Sequence, residues 1–187
     1  MADTLFEDFY RAFPPAQDRI PFDVARHGDF AKQVPPDLAD QWRKHGFGAY
    51  GSGLIWACDP SEPFVDPEDW QGIDKSAIEI FRTAFADVCF WQKNQFVFLS
   101  VHSGKLSRFG SNAEILYATF LPPDFRKSVL LERIFKIARK RLGELKSDEC
   151  FGFAPLPALG GAISEEYLIK SKLREYIAMA AQVLDSD

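Results

Sequence analysis

Five carboxylates stand within the stretch DPSEPFVDPED, at Asp59, Glu62, Asp66, Glu68 and Asp69, with no base among them. Three chemistries use such a cluster. Carboxylates bind calcium, but this spacing lacks the alternation of a helix–loop–helix calcium site, and Pro60, Pro63 and Pro67 stiffen it. Two carboxylates at a fixed separation act as acid and base, and nothing in the sequence selects which two. A negative loop also steers a basic partner into contact and disfavours wrong partners. A solvated loop is the plainest expectation. Trp70 follows directly and is a candidate aromatic anchor for a contact.

Other reactive side chains are sparse. His27, His45 and His102 have no second histidine at metal-ligand spacing. His45 ends a predicted helix, where it complements the dipole. No GxSxG, P-loop or dinucleotide-binding pattern is present. GFGAYGSG, Gly46 to Gly53, follows a helix and precedes a strand, the reverse of a phosphate-binding loop, and reads as a turn. Cys58, Cys89 and Cys150 are far apart and odd in number, so they read as small core residues and not as a disulfide or zinc framework. No metal or cofactor is expected. Between Arg126 and Arg141 seven bases face one acid. Such a helix touches phosphates in some proteins. The net charge of −5 argues mildly against nucleic acid and for a basic partner. The open alternatives are therefore a nucleic-acid-binding regulator using 126–141 and an enzyme of unrecognised type using 59–69.

These residues need a scaffold. A chain of 187 residues with 47% apolar residues can bury a sizeable core, and its 18 Phe and four Trp are expected mostly inside. No run approaches the roughly 18 apolar residues of a membrane span. The acidic start, MADTLFEDFY, is unlike a signal peptide, so a cytoplasmic location is expected. Thr4 and Glu7 form a capping-box pattern ahead of an apolar face of Leu5, Phe6, Phe9, Tyr10 and Phe13, stopped by Pro14 and Pro15. An irregular stretch to about Gln33 follows. A second helix runs from Pro36 to His45, with Leu38 and Trp42 inward and Gly46 as its stop. A short strand covers Leu54 to Cys58. Ile78 to Phe81, then VCFW and FVFLSV around a turn at Gln92 to Gln95, and a further strand after the turn at His102 to Lys105, make a β-meander. The C-terminal part reads as helical, from Val129 to Leu142 and again after a Ser164 cap, with Ile163 and Leu168 as a staple. The expected class is α+β: N-terminal helices, a central antiparallel β-meander and C-terminal helices. The best boundary near Ser111 to Pro123 divides the chain into 1–115 and 116–187, packed as one unit.

Two motifs extend this reading. PPDLADQWRKHGFGAYGSGLIW, Pro35 to Trp56, resembles the GAD-related domain: a short helix with Trp, a Gly-Phe-x-x-Tyr-x-x-Gly turn, then a strand. LGELKSDECFGFAPLPALGG, Leu142 to Gly161, with the trailing SKLREYIAMAAQVL, resembles the C-terminal domain of type VI secretion immunity proteins that protect against a DNase effector. There an aromatic-rich strand leads into a Pro-x-x-x-Leu-Gly-Gly turn. TAFADVCFW fits a small-Phe-Gly-Asp sequence of the family, with Ala86 where Gly is usual. The resemblance implies an immunity protein, not an enzyme, that binds a cognate toxin in the cytoplasm and occludes its active site or substrate cleft. A nuclease toxin holds phosphates and has a basic cleft, which an acidic surface complements. The expected contact is Asp59, Glu62, Asp66, Glu68 and Asp69, with Trp70 beside them.

Overall fold

The computed structural model describes residues 4–185. Three helices come first: α1 (Thr4–Ala12), α2 (Val24–Ala31) and α3 (Pro36–His45). The Thr4 side chain of the expected capping box lies outside the described residues. α3 starts on Pro36 and stops at Gly46, and buries Leu38 and Trp42 as its spacing predicts. Gly46 has φ +63, and a Cβ there would lie 2.2 Å from the Ile20 carbonyl oxygen, so only glycine fits the stop.

Six antiparallel strands follow in sequence order: β1 (Gly48–Tyr50), β2 (Ile55–Ala57), β3 (Ile78–Thr83), β4 (Val88–Gln92), β5 (Gln95–Ser100) and β6 (Lys105–Arg108). Lys93 and Asn94 both have positive φ, the paired left-handed turn that matches strand twist in a two-residue hairpin loop. Along β4 and β5 side chains alternate between two cores. Cys89, Trp91, Phe96 and Phe98 enter the first, with α1, α3 and the later helices. Val88, Phe90, Val97 and Leu99 enter the second, under the last helix. A sheet covered on both faces gives continuous apolar runs, which is why VCFW and FVFLSV look uniformly hydrophobic. The first core is aromatic: the Tyr117 ring lies 4.8 Å from both Phe6 and Phe9 and 5.0 Å from Phe81.

Beyond the sheet come α4 (Ala113–Thr119), α5 (Pro123–Ser128), α6 (Glu132–Leu142), a hairpin of β7 (Glu149–Phe153) and β8 (Leu168–Lys172), and α7 (Leu173–Leu184). The α+β class with this order of helices and meander holds. Four local expectations do not. The stretch before Gln33 contains α2, whose short apolar pattern is interrupted by Gly28 and buries only His27 and Ala31; Asp23 caps it by accepting from the Arg26 amide. The Gly-rich turn contains β1, because glycines at both ends still leave Ala49 and Tyr50 extended and buried. α6 begins at Glu132, since Leu131 sits in the left-handed region and Leu130 already belongs to the loop. Ser164 starts no long helix. It precedes one 3-10 turn and then β8, Ile163 is exposed, and α7 starts at Leu173. Leu168 is held instead opposite Phe153 by the hairpin register.

The two aromatic-rich motifs are joined through the backbone, with the Phe151 amide donating to the Ala84 carbonyl at 2.8 Å. The TAFAD turn between β3 and β4 is organised by Thr83, whose Oγ1 accepts from the Phe85 and Asp87 amides at 3.2 Å each. Ala86 there has φ +70, a left-handed conformation that favours glycine.

Candidate binding groove

β3 carries an irregularity between Glu79 and Phe81. Ile80 and Phe81 both enter the first core, so the flanking Glu79 and Arg82 turn to the other face. That face is the floor of a groove of about 1100 Å³. Its walls are the start of the acidic loop, the 145–148 segment and the beginning of α7.

On the floor, Arg82 is 3% exposed. Its guanidinium stacks over the Trp56 ring at 4.4 Å, which is its cross-strand neighbour in the β2–β3 register. It donates to the Ser147 carbonyl at 2.9 Å and weakly to the Thr83 carbonyl at 3.4 Å. Burial pulls its pKa down to about 10, which leaves it charged at neutral pH. Glu79 is equally buried. Its Oε1 accepts from the Phe64 and Val65 amides at 2.9 and 2.8 Å, and its Oε2 has no hydrogen-bond partner. Burial pushes its carboxyl up to about 7, against the opposing pull of those amides and of Arg174 and Arg82. Glu79 is thus the inner anchor of the acidic loop. The outer anchor is Arg174 at the start of α7, which donates to the Pro63 carbonyl at 2.6 Å.

The structure separates the six sequence-predicted residues into four environments. Asp59 is committed to local structure: it accepts from the Ser61 amide and hydroxyl at 2.9 and 2.6 Å, and lies 3.4 Å from Arg26. His27 Nε2 lies 3.2 Å from Asp59 Oδ1, off the line of a hydrogen bond. Glu62 is exposed and pairs with Arg26 at 2.9 Å. Arg26 reaches the loop from α2, so the local excess of negative charge is smaller than the sequence stretch suggests. Asp66, Glu68 and Asp69 form an exposed tip around one 3-10 turn, with Asp66 accepting from the Glu68 amide at 3.0 Å and Glu68 paired with Lys75. Trp70 is 5% exposed and packs in the second core beside Val65 and Ile73, so it is not presented to a partner. Among the described residues, no three His, Cys, Asp or Glu side chains gather where they could hold a metal ion. All three cysteines are buried and free, and burial raises their thiols.

Sequence reasoning missed Arg26, Glu79, Arg82 and Arg174. Only Glu79 and Arg82 carried a signal, as two charged residues inside an otherwise apolar strand, IEIFRT. The basic stretch is paired in part: Arg126 grips Glu132 through two nitrogens at 2.8 and 2.9 Å, Lys136 shares that carboxylate, Arg139 meets Glu144 and Arg133 meets Glu165, while Arg141 donates to the Glu165 backbone carbonyl.

The GAD-like domain family matches residues 4–103, from α1 to the end of the meander's fifth hairpin strand. The chain belongs to the GAD-like family. Residues 112–184 match a second family, described as T6SS immunity protein Tdi1, C-terminal, and cover α4 to α7. Among curated proteins none matches the sequence. Among solved structures, this GAD-like chain resembles the crystal structure of Atu4351 from Agrobacterium tumefaciens, with a TM-score of 0.78 and 19% identity over 95% of this chain and 88% of that one. That likeness speaks for the fold. The groove lies where the GAD-like part and the Tdi1-like part meet: Trp56, Asp59 and Arg82 come from the first, Ser147 and Arg174 from the second. No helix among the described residues is long and apolar enough to cross a membrane.

Proposed function

We propose that this chain is a type VI secretion immunity protein that acts by binding a cognate toxin in the cytoplasm, without catalysis, and that the toxin is a nuclease with a basic domain. The observation that carries the reading is the pairing of a GAD-like part with a Tdi1-like part in that order along one chain. The proposed mode of action is occlusion of the toxin's active site or substrate cleft.

The contact is assigned to the acidic loop, with a narrower set than its composition suggests. Asp59 is spent on Ser61 and Arg26, and Trp70 on the core. Asp66, Glu68 and Asp69 are exposed at the tip, and Glu62 is exposed on the flank. Anchoring by Glu79 and Arg174 and three prolines reduces the freedom the loop loses on binding, which favours affinity. Like-signed exposed charge raises the association rate with a basic cleft. Charge reversal at Asp66, Glu68 and Asp69 is expected to slow association with the toxin about 10-fold at low salt and much less at high salt. An unchanged association rate would remove the loop from the interface.

A further inference from the structure

Buried guanidinium groups are ordinarily neutralised by a carboxylate, because an uncompensated buried charge is costly. Arg82 lacks one. Among the described residues no carboxylate lies within ion-pair distance of it, and its partners are the Trp56 ring and two backbone carbonyls, one of them distant. The nearest buried acid, Glu79, is turned toward the Phe64 and Val65 amides. A guanidinium has five N–H donors in a planar fork, and these two bonds leave most of them for a further acceptor. Arg82 also lines a groove whose volume exceeds that of an inorganic ion and suits a small organic molecule.

The surroundings have the matching character. Trp56, Phe64 and Ile20 supply apolar surface along the groove, and Ile20 is 41% exposed. Lys146 stands on the rim, exposed and without an ion pair among the described residues. The rim acids do not cancel this. Asp148 is paired with Lys172, Asp59 is held by Arg26 and Ser61, Glu62 is paired with Arg26, and Asp18 and Glu175 are exposed. The charge left without a partner at the floor is positive.

We propose that the groove is a binding site for a small organic oxyanion, a carboxylate or phosphate monoester, received by the Arg82 fork on the floor with Lys146 closing over it and the organic body lying along Trp56 and Phe64. A forked guanidinium takes either oxyanion through two parallel charge-assisted bonds. The site rests on the floor of the groove and not on the loop tip, although Glu62 and Phe64 of the loop line its wall.

The test is a titration of the isolated chain, labelled with nitrogen-15, followed at the Arg82 side-chain N–H and the Trp56 indole N–H. The probes are phenyl phosphate, benzoate and inorganic phosphate, each against sodium chloride at matched ionic strength. Saturable shifts at both signals are expected with phenyl phosphate or benzoate, and whichever saturates at lower concentration identifies the oxyanion. Arg82→Gln is expected to weaken that binding at least 10-fold, the loss of one charge-assisted contact. Lys146→Gln, on the exposed rim, is expected to weaken it several-fold and serves if Arg82→Gln does not fold. Shifts no larger than those with chloride, or equal affinity in Lys146→Gln and the parent chain, would overturn the proposal. Since no toxin is present, failure here leaves the immunity reading untouched.

Discussion

Glu79 joins stability and function through one carboxylate. It holds the root of the acidic loop through two backbone amides while 2% exposed, and burial raises it to about 7. A carboxyl whose folded pKa lies above its unfolded value stabilises the fold at low pH. That contribution is complete below the unfolded value near 4.5 and is lost as pH rises through about 7. Glu79→Gln keeps an acceptor for both amides and removes the charge. Its stability relative to the parent chain is therefore expected to improve between pH 5 and pH 8, by up to about 3 kcal/mol, measured by urea denaturation across that range. A constant difference with pH would mean that Glu79 is not buried in both protonation states. Arg82, its companion on the same face, differs in having the groove rather than a backbone amide in front of it. Both charges were visible in IEIFRT as interruptions of an apolar strand. The irregularity that puts them on one face was not, since it depends on which residue of β3 fails to pair with β4. Nor could the sequence tell that Trp70, next to five acids, belongs to the second core.

Elements with strong periodicity and clear stops were legible, and those defined by distant partners were not. Pro36 to His45 and the β4–β5 hairpin follow from cap residues, apolar spacing and the Lys93-Asn94 turn. The β7–β8 hairpin did not, because β8 is the half-polar LIKSK, whose register is set by Phe153 opposite Leu168, fifteen residues away. The connecting turn explains the Leu-Gly-Gly sequence physically. Gly160 has φ +82, and a Cβ at Gly161 would lie 2.0 Å from the Pro155 carbonyl oxygen. Since that neighbour is backbone, the turn must open to admit a side chain. Gly161→Ala is expected to destabilise the protein by about 2–3 kcal/mol, read as a lowered denaturation midpoint with an unchanged slope. A loss under about 0.5 kcal/mol would show that the turn is free to relax. Leu159, exposed on this turn, should tolerate Leu159→Ala with little change.

The whole molecule is built so that neither matched region is complete alone. Tyr117 of the C-terminal part fills the space between Phe6, Phe9 and Phe81 of the GAD-like part, and Phe151 bonds to Ala84 across the same divide. We propose that 1–115 and 116–187 are two inherited parts of one folding unit. Tyr117→Ala is then expected to cost about 3–5 kcal/mol and to lower both near-ultraviolet signal and hairpin amide protection in a single transition; two separate transitions would indicate independent units. The groove at this junction, its loop wall and the exposed acidic tip are consequences of that joint core, which is why composition alone indicated a negative loop but not how it is held. Binding to a toxin is the claim on which the functional account rests. Its most direct measurement is co-expression with a candidate cognate toxin, followed by growth and by size-exclusion chromatography of the purified mixture. The account predicts rescued growth together with a stable complex of fixed stoichiometry and an intact toxin. Rescued growth with no complex, or with a chemically altered toxin, would contradict it and point to enzymatic detoxification.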